Sequence, residues 1–180
     1  MATRYIQAGV LYSTFGIKGI AFTDDYNNVI IGACHAMALQ PDDKIVLSGY
    51  GYKGMFNPTY YILVTRLNAD GSLDSSFGTE GKIITNAGRS AAGISIQPDG
   101  KIVVSGSSGF SFITLRYLPN GKPDNSFGDN GAVTTGLGSQ AAAQANLVQP
   151  DGKIIVAGGN AYSLFFVRYN TDGSLDESFG

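Results

Sequence analysis

The sequence lacks tryptophan entirely and holds one cysteine, Cys34, and one histidine, His35, in 180 residues. A single cysteine excludes an intrachain disulfide, so nothing staples the fold and the redox compartment stays open. A single histidine leaves a zinc site or a Ser-His-Asp triad short of its usual members. As neighbours on a strand, Cys34 and His35 are expected on opposite faces, unable to act jointly on a metal or as nucleophile and base. Charged residues make up only 14%, with a net charge of −2 and a pI near 5.2. Scattered Lys and Arg at this balance give no electrostatic footprint for nucleic acid or an anionic membrane surface. No run approaches the roughly 20 apolar residues of a membrane helix, and the start MATRYIQAGV lacks the basic and apolar regions of a signal peptide. Walker-type and dinucleotide-binding glycine loops are missing too, and so are long helical Leu/Ala/Glu/Lys tracts.

Glycine is abundant, at 25 residues, alongside ten Tyr and ten Phe. With Ile/Val-rich segments, this composition reads as an all-β chain with many turns. An arginine precedes a Phe-Gly pair four times, as Arg4/Phe15, Arg66/Phe77, Arg116/Phe127 and Arg168/Phe179. A glycine follows each arginine five residues later, at Gly9, Gly71, Gly121 and Gly173. Successive Phe-Gly pairs stand 62, 50 and 52 residues apart, the signature of a tandem repeat. The chain divides into a partial copy over 1–16 and repeats over about 17–78, 79–128 and 129–180, forming one array.

Each period carries four β segments: a short run after Phe-Gly (GIAFT, GKIIT, GAVTT), a small-residue strand ending in Gln-Pro-Asp, an apolar strand (KIVLSG, KIVVSG, KIIVAG), and a long strand such as SFITLRYL. The apolar strand suits burial on both faces. Pro-Asp-Gly between the second and third segments is hairpin chemistry, and Asp43, where the first period replaces that glycine, tolerates the left-handed region. Four antiparallel strands in about 50 residues match a propeller blade. The expected fold is therefore all-β: β-propeller blades of four antiparallel strands, about three per chain. Three blades leave open edges and faces, so a homo-oligomer is expected, favouring a dimer that closes a ring of about six blades. In it, Gly19 to Thr23 of one copy would complete the last blade of the other. Against this, Ala2 to Gln7 duplicates a strand already present at Leu164 to Asn170, and a fragment cut from a longer array is the other explanation.

The combination QPDGKIVVSG, FITLRYLPNG and NSFGDNG resembles the delta-60 repeat, a bacterial tandem repeat regarded as propeller-forming. The resemblance covers nearly the whole chain and implies architecture; it carries no catalytic residues, and Tyr12 departs from the pattern where Asp74, Asp124 and Asp176 stand.

Repeated features serve folding, so function is sought where a period breaks the rule. The first period has seven extra residues within SGYGYKGMFNPTYY, and its other connection, TDDYNNVIIGACH, is also the longest. Blade topology puts both on one face. They bring together Tyr26, Asn27, Asn28, Tyr50, Tyr52, Phe56 and Tyr60, with Asp24 and Asp25 nearby, as candidate ligand- or partner-binding residues. Aromatic rings among amides and carboxylates suit a glycan or a protein ligand; the competing reading is that they cover hydrophobic surface or a subunit contact. No catalytic residue, metal ligand or cofactor is assigned. Asp70 and Asp74 with Asp172 and Asp176 superficially resemble calcium ligands but lack the spacing and the bidentate Glu, so turn formation is expected of them. The recurring arginines are expected to bridge neighbouring turns, with Asp74, Asp124 and Asp176 as acceptors. The function expected is a non-catalytic binding or assembly module. A propeller hydrolase or lactonase with a central metal, and a purely structural surface or particle protein, are the alternatives.

Overall fold

The computed structural model describes residues 2–5, 7–23, 28–138 and 140–180. Among the described residues, thirteen strands form four antiparallel sheets and no helix occurs. β1 (Ala2–Thr3) pairs with β2 (Ile20–Ala21) in a two-stranded sheet. β3 (Ile30–Leu39), β4 (Ile45–Lys53), β5 (Thr59–Leu67) and β6 (Lys82–Thr85) make the first four-stranded sheet, in sequence order. β7 (Ser90–Ile96), β8 (Ile102–Ser107), β9 (Ser111–Tyr117) and β10 (Ala132–Gly136) make the second. β11 (Ala142–Val148), β12 (Ile154–Gly159) and β13 (Leu164–Tyr169) form a three-stranded sheet.

The fourth strand of each four-stranded sheet lies beyond a Phe-Gly pair, so the sheets are offset by one strand from the sequence repeats. Ala2–Thr3, the duplicated segment, pairs with Ile20–Ala21 of its own chain. The short run Gly19 to Thr23 thus has one edge paired within its own chain.

Period-two alternation decides the packing. On β9, Ile113, Leu115 and Tyr117 point to the first four-stranded sheet and join Val46, Ile62, Val64, Ile102 and Val104 in one core. Phe112, of opposite parity, joins Val103, Ile154, Val156, Val167 and Tyr169 in the next core. β8 is buried on both faces, as its unbroken apolar run requires. A third core, of Ala2, Phe15, Ala21 and Leu67, seats the two-stranded sheet on the first four-stranded one. Asp43 adopts φ 63° and closes the first hairpin as Gly100 and Gly152, both at φ 82°, close theirs.

The first strand of each larger sheet carries a β-bulge at a corresponding place, between Cys34 and Ala36, Ala91 and Gly93, and Ala143 and Ala145. Opposite it stands Gly49, Gly106 or Gly158, where a Cβ would collide with the carbonyl oxygen of Ala33, Ser90 or Ala142. The glycine after Val-Leu-Ser, Val-Val-Ser or Ile-Val-Ala is thus fixed by backbone contact rather than by a turn.

Gly106→Ala should consequently cost about 2 kcal/mol by forcing the bulge apart. Gly136→Ala, whose Cβ would meet only Ser111 Oγ at 3.9 Å, should change stability by less than about 0.5 kcal/mol. Urea denaturation of the two variants checks the difference.

Candidate functional site

Two constellations emerge, one repeated and one unique. The repeated one is built on the arginine of each long strand. Arg66 Nε donates to Asp74 Oδ2 at 2.7 Å, its Nη1 to the Pro119 carbonyl of the following repeat at 2.5 Å, and its guanidinium lies 4.5 Å from the Phe77 ring centre. Arg116 repeats this with Asp124 at 2.7 Å, the Thr171 carbonyl at 2.6 Å and Phe127 at 4.5 Å. Arg168 pairs with Asp176 and stacks on Phe179. Arg4 has Tyr12 in place of the aspartate and lies over its ring, 5.4 Å from the centre, while still reaching the Ala69 carbonyl at 3.2 Å.

The guanidinium bridges neighbouring turns, and the three aspartates are its acceptors. Sequence reasoning missed a third member: Lys44, Lys101 and Lys153 approach the same carboxylates at 3.0, 3.2 and 2.7 Å. The signal was available, because each lysine stands two residues after the aspartate of its Gln-Pro-Asp. Ser76, Ser126 and Ser178 also donate, through backbone N–H and hydroxyl, to the other carboxylate oxygen. Burial opposes ionisation of Asp124, but the Ser126, Lys101 and Arg116 contacts prevail and bring its carboxyl down to about 2. Asp74, likewise against burial, is held well below the usual carboxylate range by Ser76, Lys44 and Arg66, and Asp176 by Lys153 and Ser178. Asp70 and Asp172 accept from Ser72 and Ser174 two residues on, as turn-forming aspartates do.

The unique constellation lies on the first four-stranded sheet. The extra residues of the first period do not form a long loop. They lengthen the strands: β4 and β5 have nine residues each, against six and seven in β8 and β9. The ladder continues through Tyr50↔Ile62 and Tyr52↔Tyr60, because alternating Tyr and Gly in SGYGYK keeps period two. Tyr50, Tyr52 and Tyr60 therefore share a face. Tyr60 is 6.4 Å from Tyr50 and 6.2 Å from Tyr52 between ring centres; His35 lies 5.5 Å from Tyr50, and Arg89 stands over Tyr60 at 5.3 Å. Gly32 leaves the space that the Tyr50 ring fills. All three tyrosines are half-buried, in the wedge between the first and second four-stranded sheets. Phe56 is not part of the row; it sits at the hairpin tip, 93% exposed. Asn28 is exposed at φ 62°. Tyr26 and Asn27, with Asp24 and Asp25, lie outside the described residues.

His35 Nδ1 is 3.0 Å from the Ala91 carbonyl and 3.4 Å from Ser90 Oγ, whereas Cys34 Sγ contacts the Ala36 carbonyl at 3.6 Å. The pair has separate partners, and no three His, Cys, Asp or Glu side chains among the described residues are grouped to hold a metal ion. Two further aromatics were not singled out in the sequence: Phe110, 62% exposed, and Tyr162, 92% exposed, occupy the corresponding turns of the second and third larger sheets. With Phe56 they mark the same turn of three successive sheets.

A family model described as a domain of unknown function (DUF5122), beta-propeller, matches residues 40–77, 97–127 and 149–179, more than half of the chain. The matched segments run from each Gln-Pro-Asp to the next Phe-Gly and contain the Lys–Asp–Arg groups. A search of curated proteins found no match.

Arg116→Met would leave a buried carboxylate and the Thr171 carbonyl short of a donor, and should cost about 3 kcal/mol in denaturant unfolding. Because the aspartates titrate lower when folded than unfolded, their contribution is complete above the unfolded value of about 3.9. It is lost as pH falls towards the folded value. The urea midpoint should therefore be level from about pH 7 to about pH 5 and fall steeply below about pH 4.

Proposed function

The chain belongs to the DUF5122 β-propeller family, and from that premise we propose that it is a non-catalytic binding and assembly module built of delta-60-type repeats. Its four sheets act as propeller blades, complete or partial. The ligand or partner meets the face carrying the β4–β5, β8–β9 and β12–β13 turns.

The observation that carries this reading is the row His35, Tyr50, Tyr60 and Tyr52 with Arg89 across it. Among the described residues no other sheet has such a row: the positions matching Tyr50 and Tyr52 across the ladder in the second sheet are Ser107 and the turn beyond it. Half-buried rings backed by one another lose little freedom on binding and offer flat apolar area with hydroxyls at the rim. A sugar face or an aromatic-rich peptide suits such a surface. Phe56, Phe110 and Tyr162 at the neighbouring tips extend it for a protein partner.

A propeller hydrolase would need carboxylates or amides converging from several strand ends. Asp74, Asp124 and Asp176 are instead committed to arginine, lysine and serine, and Asp70 and Asp172 to serine. Small residues such as Ala38 and Ser95 occupy the first strands, and Ser95 bonds to Asn146 of the adjacent sheet. These commitments favour recognition over catalysis.

Glycan-array screening and affinity capture with the purified chain test the proposal. Tyr52→Ser and Tyr60→Ser should each weaken the captured ligand by about tenfold or more, with the thermal melt retained. Equal binding by the variants, or a metal-dependent lactone hydrolysis that survives them, would contradict the reading.

A further inference from the structure

Arg89 enters the wedge beside the tyrosine row along a fixed path. Gly88 is buried, and a Cβ there would stand 2.7 Å from Ile62 Cδ1 and 3.0 Å from Ile113 Cγ2, so the chain runs pressed between β5 and β9. The backbone N–H of Arg89 then donates to the Ser107 carbonyl at 2.7 Å. Its stem passes the β8–β9 turn, with Cδ 3.8 Å from where a Cβ of Gly109 would stand. The second sheet thus holds backbone and stem, and the guanidinium is delivered over the Tyr60 ring of the first sheet, 5.3 Å from its centre.

What the guanidinium does there differs from every strand arginine. Arg66, Arg116 and Arg168 each hold an aspartate, and Arg4 reaches a carbonyl. The Arg89 side chain is exposed, and its guanidinium makes no hydrogen bond or ion pair among the described residues. It uses its flat face on Tyr60 and keeps its five N–H donors unused. The hydroxyls of Tyr50, Tyr52 and Tyr60 likewise have no hydrogen-bond partner among the described residues, whereas the buried Tyr169 sets its hydroxyl 2.6 Å from Thr135 Oγ1. Charge is sorted in the same sense. Every Asp and Glu of the described residues lies at the other end of the sheets, in the β3–β4, β7–β8 and β11–β12 hairpins or in the turns after β5, β9 and β13. At the row's end stand Arg89 and Lys53, the latter 5.9 Å from the Tyr61 ring centre. The described charges beside the row are therefore of one sign, in a chain whose net charge is −2.

We infer that the row recognises an acidic sugar: a pyranose bearing a carboxylate, its apolar face resting on the tyrosine rings and its carboxylate taking the fork of Arg89. The inference rests on the binding reading above and narrows its ligand. A neutral sugar leaves the guanidinium to water, whereas a carboxylate meets two parallel N–H donors. Stacking on Tyr60 holds the fork in one plane before a ligand arrives, so little side-chain freedom is lost on binding. The phenolic hydroxyls at the rim then exchange hydrogen bonds with the ring hydroxyls. Those three hydroxyls favour a sugar over an aromatic peptide, whose apolar side chains would cover them without pairing them.

Binding measured on matched glycan pairs tests this, with oligosaccharides bearing uronic or sialic acid, each beside its neutral, carboxyl-reduced counterpart. The unaltered chain should bind at least one acidic member about tenfold more tightly than its counterpart, and the margin should narrow as salt is raised. Arg89→Gln should abolish the margin with the thermal melt retained, since the side chain is exposed. Arg89→Lys, which keeps the charge but not the planar fork, should preserve only part of it. Tyr52→Ser should weaken acidic and neutral members together. Equal binding of both members, or a margin that survives Arg89→Gln, would overturn the acidic-sugar assignment and leave the row as a neutral binding surface. Preference for a peptide with a free C-terminal carboxylate over every sugar would overturn it too. No binding by any glycan, or binding indifferent to Tyr52→Ser, would remove the row and the assignment together.

Discussion

Everything in this chain is hung on the inter-repeat joint in which a guanidinium is stacked on a phenylalanine, paired with an aspartate and bonded to a carbonyl one repeat ahead. Sheets packed face to face through apolar side chains can slide with little change in buried area, because the hydrophobic effect has no direction. The joint has direction. Arginine's planar fork fixes angle as well as distance, and the backbone link from each Phe-Gly amide to the next turn removes the remaining freedom. Buried ion pairs add little net stability compared with apolar packing, but breaking one partner is costly. The Lys–Asp–Arg group therefore serves to set spacing, with Val, Ile and Phe supplying the burial.

The same joint explains why variation is concentrated elsewhere. At the Phe-Gly end of the sheets, glycine, aspartate, lysine and arginine are all committed, and the sequences of the periods agree. At the opposite end, the β4–β5, β8–β9 and β12–β13 turns touch no joint and are free to lengthen. The first period uses that freedom to extend β4 and β5 and to raise a tyrosine row, backed by Gly32, between two sheets. The recognition surface we propose there would stand on a rigid support, the arrangement that loses least conformational entropy on binding.

Much of the architecture was legible from residue order: the four-segment period, the burial of KIVVSG on both faces, the Asp43 turn and the arginine–aspartate pairing at a spacing of eight. The lysine partners were also legible and went unread, because Gln-Pro-Asp drew attention to the hairpin rather than to the residue after it. The bulge opposite the glycine that ends each apolar strand was not legible, since a bulge leaves no mark on strand periodicity. For the candidate site, Tyr50, Tyr52 and Tyr60 were found by composition. Their grouping with His35 and Arg89, and the separation of Phe56 from them, depended on an insertion that became strand instead of loop.

The sequence by itself determined the repeat, the strand faces and the turn chemistry, because each is set by neighbours within a few residues through φ/ψ preference and period-two alternation. Only the tertiary structure decided that Ala2–Thr3 pairs with Ile20–Ala21 and that the insertion extends the ladder. Those outcomes rest on contacts between residues far apart in the chain, where packing and backbone hydrogen bonding choose among pairings that local preference leaves equal.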